Sequence, residues 1–104
     1  LILSRIESGD REMLDRIALA YKDAGQFAEY AMCLEAYLES FPDSRGNDRR
    51  FFELGTLYET TELRNERKAR GYYAEILKLY PASLYYLDAA QRVRYLDRYF
   101  FDLR

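Results

Sequence analysis

The sequence predicts an all-α protein built from a repeated helix hairpin, and three observations predict it. Apolar residues recur at three- and four-residue steps, the period that lays side chains along one side of an α-helix. Two amphipathic stretches end alike, in an aromatic residue and a proline. One is Tyr30, Ala31, Leu34, Tyr37, Leu38 and Phe41 before Pro42; the other is Ala69, Tyr72, Tyr73, Ile76, Leu77 and Tyr80 before Pro81. The two prolines stand 39 residues apart. Each ends a helix because proline lacks an N–H and restricts the residue before it. The same ending at that spacing marks one repeated helical unit.

Elements follow in order. Leu1, Ile2, Leu3 and Ile6 read either as a short amphipathic turn or as the tail of an earlier helix. Gly9 interrupts them, and Asp10 is the candidate N-cap of a helix over about 11–24. Met13, Leu14, Ile17, Ala18 and Tyr21 form its packing stripe, and Gly25 is a natural stop. The next helix is expected from Phe27 to Ser40. A connection this short forces antiparallel neighbours. DSRGN at 43–47 is a loop by composition. A helix over about 48–60 carries Phe51, Phe52, Leu54, Leu57 and Tyr58, with Gly55 inside it. Glycine costs about 1 kcal/mol relative to alanine there, which a close helix crossing would explain. TELRN at 61–65 is the weakest helical text, before a helix over 66–80. Ser83 is the candidate N-cap of a last helix from Leu84 to about Phe101. Tyr86, Ala90, Val93, Leu96 and Phe100 form one stripe, widened by Tyr85, Ala89, Tyr95 and Tyr99.

Composition narrows the function. The 104 residues fit one domain, with 16 basic and 18 acidic residues, no histidine and a single cysteine. The charge is mixed and slightly negative, so no basic excess points to nucleic acid. Arg49, Arg50, Arg64, Arg67, Lys68 and Arg70 are interleaved with Glu53, Glu59, Glu62 and Glu66 and read as solvated helix faces. Without histidine, the commonest acid–base group and zinc ligand are absent. Cys33 has apolar neighbours and reads as a buried structural thiol; no disulfide can form within the chain. Asp43 and Asp48 read as loop carboxylates, and no Gly-rich phosphate loop occurs. No catalytic residue, metal site or cofactor is expected. No stretch of about 18 apolar residues exists to span a membrane. The chain starts at Leu1 rather than Met, so it reads as a processed product or an excised piece, and the lack of a secretory signal does not fix its compartment.

These hairpins resemble the tetratricopeptide repeat, a helix–turn–helix unit of about 34 residues. The first copy covers 11–44: Leu14, Ile17, Ala18 and Tyr21, the turn Gly25 and Phe27, then Tyr30, Leu34, Tyr37 and Pro42. Tyr30 and Tyr37 stand where the motif usually has alanine, and their rings are expected to push the helices apart or rotate one of them. The second copy covers 48–83: Leu54, Gly55 and Tyr58, then Ala69, Tyr73, Ile76 and Pro81, with about two extra residues near 60–66. A terminal helix over 84–103 follows, which looks like a solvent-capping or truncated leading helix, in a single domain over 1–104. The resemblance implies about five helices in antiparallel hairpins, stacked as a short right-handed superhelix with a concave inner face. Ala18, Ala31, Gly55, Ala69 and Ala90 look like its close-approach positions. The run YYAEILKLYPASLYYLDAAQRVRYL also resembles divergent members of the bacterial cell envelope, which implies a bacterial and periplasmic setting, with cytoplasm the alternative.

Leading helices line the groove in that family. The matching positions are Glu12, Asp15, Leu19, Lys22 and Asp23, then Arg49, Phe52, Thr56, Glu59 and Thr60, then Tyr85, Asp88, Arg92, Tyr95 and Leu96. The resemblance thus implies a non-catalytic scaffold that binds a partner's peptide or helix. Arg49, Phe52, Tyr85, Arg92 and Tyr95 are the candidate protein-binding residues. The plain alternative makes the aromatics packing residues and the arginines solvated. The basic and asparagine set that clamps a peptide's terminal carboxylate in chaperone-binding members is missing. A second reading is a structural segment of a longer solenoid, or a homodimer formed through Tyr85, Tyr95, Tyr99 and Phe100. A third, a regulatory repeat attached to an enzyme, requires catalytic sequence elsewhere.

Overall fold

The computed structural model describes residues 11–101. They form five α-helices and no strand: α1 (Arg11–Asp23), α2 (Phe27–Ser40), α3 (Asn47–Thr60), α4 (Glu66–Leu79) and α5 (Tyr86–Leu96), the last continued by a π-helical turn, Asp97–Phe101. The expected turn over 1–8 and the Asp10 cap lie outside the described residues. The chain divides into two compact units, Leu1–Asn47 and Asp48–Arg104.

In the first unit α1 packs on α2. Gly25 has φ 71°, a left-handed conformation that suits a residue without Cβ. Its N–H reaches the Lys22 carbonyl at 3.0 Å and the Gln26 N–H reaches Tyr21 at 2.9 Å, which satisfies the last carbonyls of α1. The stripe of α1 is narrower than the sequence suggests. Leu14 and Ala18 are buried, whereas Met13 and Ile17 are exposed. On α2, Tyr30, Ala31, Cys33, Leu34 and Tyr37 are buried. The two tyrosines are therefore core residues. The Tyr37 hydroxyl shares a hydrogen bond with Ser44 Oγ at 2.9 Å, so its polar tip is satisfied. Burial also pushes the Cys33 thiol up, as expected of an inert thiol.

The two proline turns match in detail. Phe41 and Tyr80 both have φ −132°, with ψ 65° and 60°. Ser44 N–H donates to the Phe41 carbonyl at 3.1 Å, and Ser83 N–H to the Tyr80 carbonyl at 3.0 Å. An aromatic-Pro-X-Ser tetrapeptide thus folds alike twice. Proline fixes its own φ and drives the aromatic residue before it out of the helical region.

In the second unit Ala69, Tyr73, Ile76, Ala89 and Leu96 form the core cluster, with Phe51, Phe52, Tyr58, Leu77, Tyr80, Tyr85, Val93 and Phe101 packed around it. Gly55 lies against the Tyr73 ring, so α3 and α4 approach closely at that point. Asn65 caps α4, its Oδ1 accepting from the Lys68 N–H at 3.1 Å. Two expectations change in α5. The helix starts at Tyr86, because the Ser83 hydroxyl accepts from the Tyr85 N–H at 3.0 Å and the Tyr86 N–H returns to the Ser83 carbonyl; Leu84 is left 96% exposed. Its fully buried small residue is Ala89, not Ala90.

The π turn resets the last face. From Leu96 an uninterrupted α-helix would bring Tyr99 or Phe100 to the core. The wider turn places Phe101 there instead, five residues on, packed against the cluster. Tyr99 and Phe100 stay outside, 63% and 46% exposed. The expected Leu96–Phe100 stripe is corrected to Leu96–Phe101.

Candidate functional site

In the second unit side chains of α3 and α5, both expected as leading helices, meet directly. Residues three and four apart on α3 share a face, so Phe52, Thr56 and Glu59 stand in line. Phe52 packs on Tyr85 with ring centroids 5.1 Å apart, and edge-on against Tyr73 at 5.4 Å. Further along, Arg92 of α5 grips Glu59 with both prongs of its guanidinium: Nε donates to Oε1 at 3.1 Å and Nη2 donates to Oε2.

That ion pair has a buried floor. The Tyr73 hydroxyl donates to Glu59 Oε1 at 2.9 Å and lies 3.3 Å from Thr56 Oγ1, which donates to the Phe52 carbonyl at 3.0 Å. Burial drives the Tyr73 hydroxyl far above the ordinary tyrosine range, and the Glu59 charge adds to this. The Arg92 guanidinium is held protonated still more firmly by its hydrogen bond to Glu59. Tyr73 and Arg92 therefore keep their protons, and the network orders the helices.

The candidate residues fall into groups. Phe52 and Tyr85 are half-buried and joined to each other. Arg92 is half-buried, tied to Glu59, and lies over the Tyr95 ring at 4.6 Å. Tyr95 is exposed and contacts Tyr99 at 4.8 Å and Phe100 at 6.3 Å between centroids. Tyr85 is thus joined to Phe52, while the other three self-interface candidates cluster together. Arg49 stands apart from these aromatics; it is exposed and pairs with Glu53 at 2.6 Å.

Other leading-helix positions separate further. Glu12, Asp15, Leu19, Lys22, Asp23, Thr60 and Asp88 are exposed. Glu59 and Leu96 are corrected from the open face to the interior, at 8% and 0% exposure. A glutamate can be buried there because Arg92 and Tyr73 satisfy both its oxygens.

Sequence reasoning missed a shallow recess of about 220 Å³ on the outer side of α5, lined by Gln91, Arg94, Tyr95, Arg98 and Tyr99. The signal was present in the run RYLDRY, where arginine and tyrosine each recur at four residues. Asp97, the acid in that run, pairs instead with Arg70 of α4: Nε donates to Oδ1, and Nη2 donates to Oδ2 at 3.2 Å.

Among the described residues no group of three His, Cys, Asp or Glu side chains could hold a metal. No helix among them is long and apolar enough to cross a membrane. A family model, the tetratricopeptide repeat, matches the chain twice, over 12–44 and 51–83, between them more than half its length. No curated protein and no solved structure matches it.

Proposed function

Because the chain belongs to the tetratricopeptide repeat family, whose repeats generally mediate protein–protein interactions, we propose that it is a non-catalytic scaffold receiving a peptide or helix of a partner protein on its leading-helix face. The observation that carries this is the direct pairing of α3 with α5 through Phe52–Tyr85 and Glu59–Arg92. It makes one continuous face from two helices, with aromatic edges at Phe52, Tyr85 and Tyr95 and cations at Arg49 and Arg92. Aromatic groups on a rigid base supply most of the energy in such contacts, and charges at the rim set orientation. The setting we propose is an assembly of the bacterial envelope, in keeping with the tyrosine–aliphatic helices that end in Tyr-Pro.

A peptide library displayed on phage and selected on the purified chain tests the binding role. An enriched motif should lose about tenfold in affinity on Tyr95→Ala and on Arg49→Ala. No enrichment, or a motif indifferent to both variants, refutes the reading. Exposure of Tyr95, Tyr99 and Phe100 favours a second reading, pairing of two copies through α5, which light scattering across a concentration series separates from the first.

A further inference from the structure

We propose that the outer face of α5 is a docking site for an acidic segment of a partner protein, with Arg94 and Arg98 as its charge contacts and the Tyr95–Tyr99 pair as its apolar floor. This deepens the scaffold reading and rests on it. The recess is lined by two arginines, a glutamine and two tyrosines, and by no acid. Both arginines are exposed, and among the described residues neither meets a carboxylate. The nearest acid along the helix, Asp97, is drawn away by Arg70. Several other arginines of this unit are already neutralised: Arg92 by Glu59, Arg49 by Glu53, Arg64 by Glu66. Arg94 and Arg98 thus place two unneutralised positive charges side by side on this one face.

Geometry sets the shape of the ligand. Arg94 and Arg98 lie one turn apart, about 6 Å along the axis. Carboxylates four residues apart on a partner helix match that rise, and an arginine fork takes a carboxylate with two parallel bonds. Between the arginines, the Tyr95 and Tyr99 rings stand 4.8 Å apart and offer an apolar surface for an aliphatic side chain. The π turn keeps Tyr99 and Phe100 outside, which extends that surface past the end of the α-helix.

The same charges argue against a symmetric self-interface here. Two α5 helices paired across a two-fold axis at Tyr95 and Tyr99 would bring four arginines together with no acid between them. Like charges so placed oppose association. The chain as a whole is slightly acidic, which gives no long-range pull on nucleic acid.

The probe is a fluorescent helical peptide of about 16 residues with glutamates four apart and leucines between them, titrated into the whole chain by anisotropy. Its controls are the glutamine and the lysine versions. The acidic peptide should bind, the glutamine version about tenfold more weakly, and the lysine version not at all. The R94E/R98E variant should lose the acidic peptide and gain the lysine one. Affinity should fall as salt rises from about 0.05 to about 0.5 M. R94A/R98A, with circular dichroism as the fold check, should lose the acidic peptide without gaining the other. Equal binding of the glutamine peptide, no binding of the acidic one, an unaffected R94E/R98E variant, or tighter binding of oligouridine each overturns the proposal. If acidic peptides fail while library-selected peptides bind and are weakened by Arg49→Ala but not by R94A/R98A, the scaffold reading stands and the α5 site falls. If neither binds, both fall.

Discussion

Gly55→Ala is the sharpest test of how the second unit is built. Glycine in a helix interior is ordinarily a weakness, and alanine would stabilise α3 by about 1 kcal/mol through propensity alone. Here the added Cβ would stand 2.6 Å from Tyr73 Cε1 and 2.8 Å from Cδ1 and Cζ. Something must move. The ring is 1% exposed, its hydroxyl is held by Glu59 and Thr56, and Phe52 packs against its side. With the ring fixed on three sides, the backbone of α3 must shift, so overpacking should reach the upper part of its range, about 2–3 kcal/mol. Subtracting the propensity gain leaves a net loss of about 1–2 kcal/mol. At roughly 4–8 °C per kcal/mol for a domain of this size, the melting midpoint should drop by about 4–16 °C. Urea and thermal unfolding followed by circular dichroism measure this. In a Tyr73→Leu background the same change should be neutral or slightly stabilising, and the difference between the two is the ring–Cβ coupling. An alanine that stabilises the wild-type chain, or that has the same effect in both backgrounds, refutes the reasoning.

Further predictions rest on single contacts. Tyr73→Phe should cost about 1–2 kcal/mol, because its hydroxyl donates to a carboxylate in the interior; an unchanged denaturation midpoint contradicts this. The same residue sets an alkaline limit. Folding raises its pKa, so its contribution is complete below the unfolded tyrosine value near pH 10 and is lost as pH climbs through the folded value. Tyr73→Phe should flatten that part of the stability–pH curve. Gly25→Ala meets no neighbour, yet should cost about 1 kcal/mol through φ alone; Gly25→Asn should recover part of it. Ser83→Ala removes both the bond to Asp48 at 2.5 Å and the acceptor for the Tyr85 N–H. A loss of about 1–2 kcal/mol is expected, with amide exchange at the start of α5 rising first.

Helices were legible because each carries local punctuation. Gly25 and the two aromatic-proline endings mark the ends of α1, α2 and α4, and the weak helical text at 61–65 falls between α3 and α4. The start of α5 was misplaced by two residues because Ser83 looks like a cap by type. Its hydroxyl does serve Tyr85, but in a turn that precedes the helix. The face of α5 was harder. A fixed helical period carries the core stripe from Leu96 to Phe100, and only the π turn, which follows from packing, moves it to Phe101. The candidate surface was legible by residue type but not by state. Nothing in the spacing of Glu59 and Arg92, 33 residues apart, announces an ion pair, since such contacts depend on how helices stack. Arg94 and Arg98 carry no signal by type, because a lone charge on a helix usually means solvent.

Selective neutralisation explains why structure and recognition can share so short a helix. On α5 the inward residues Ala89 and Leu96 are fully buried, Arg92 is fixed by Glu59, and Asp97 is fixed by Arg70. Ala89, Arg92 and Leu96 sit on a different side of the helix from Arg94, because steps of two and five residues rotate by more than a quarter turn, whereas Asp97, three residues on, is turned aside by Arg70. The helix is thus held from beneath by packing and from its flanks by ion pairs. A surface anchored this way loses little conformational freedom on binding, and the cost of ordering is what most weakens association through exposed long side chains. Releasing an anchor should therefore act on the outer face without touching it. Asp97→Asn frees Arg70 and loosens the π turn, so it should weaken the acidic peptide's hold on Arg94 and Arg98 although Asp97 is not in the recess. Were Asp97 merely a nearby repelling charge, the same substitution would strengthen that hold, and the sign of the change decides between the two.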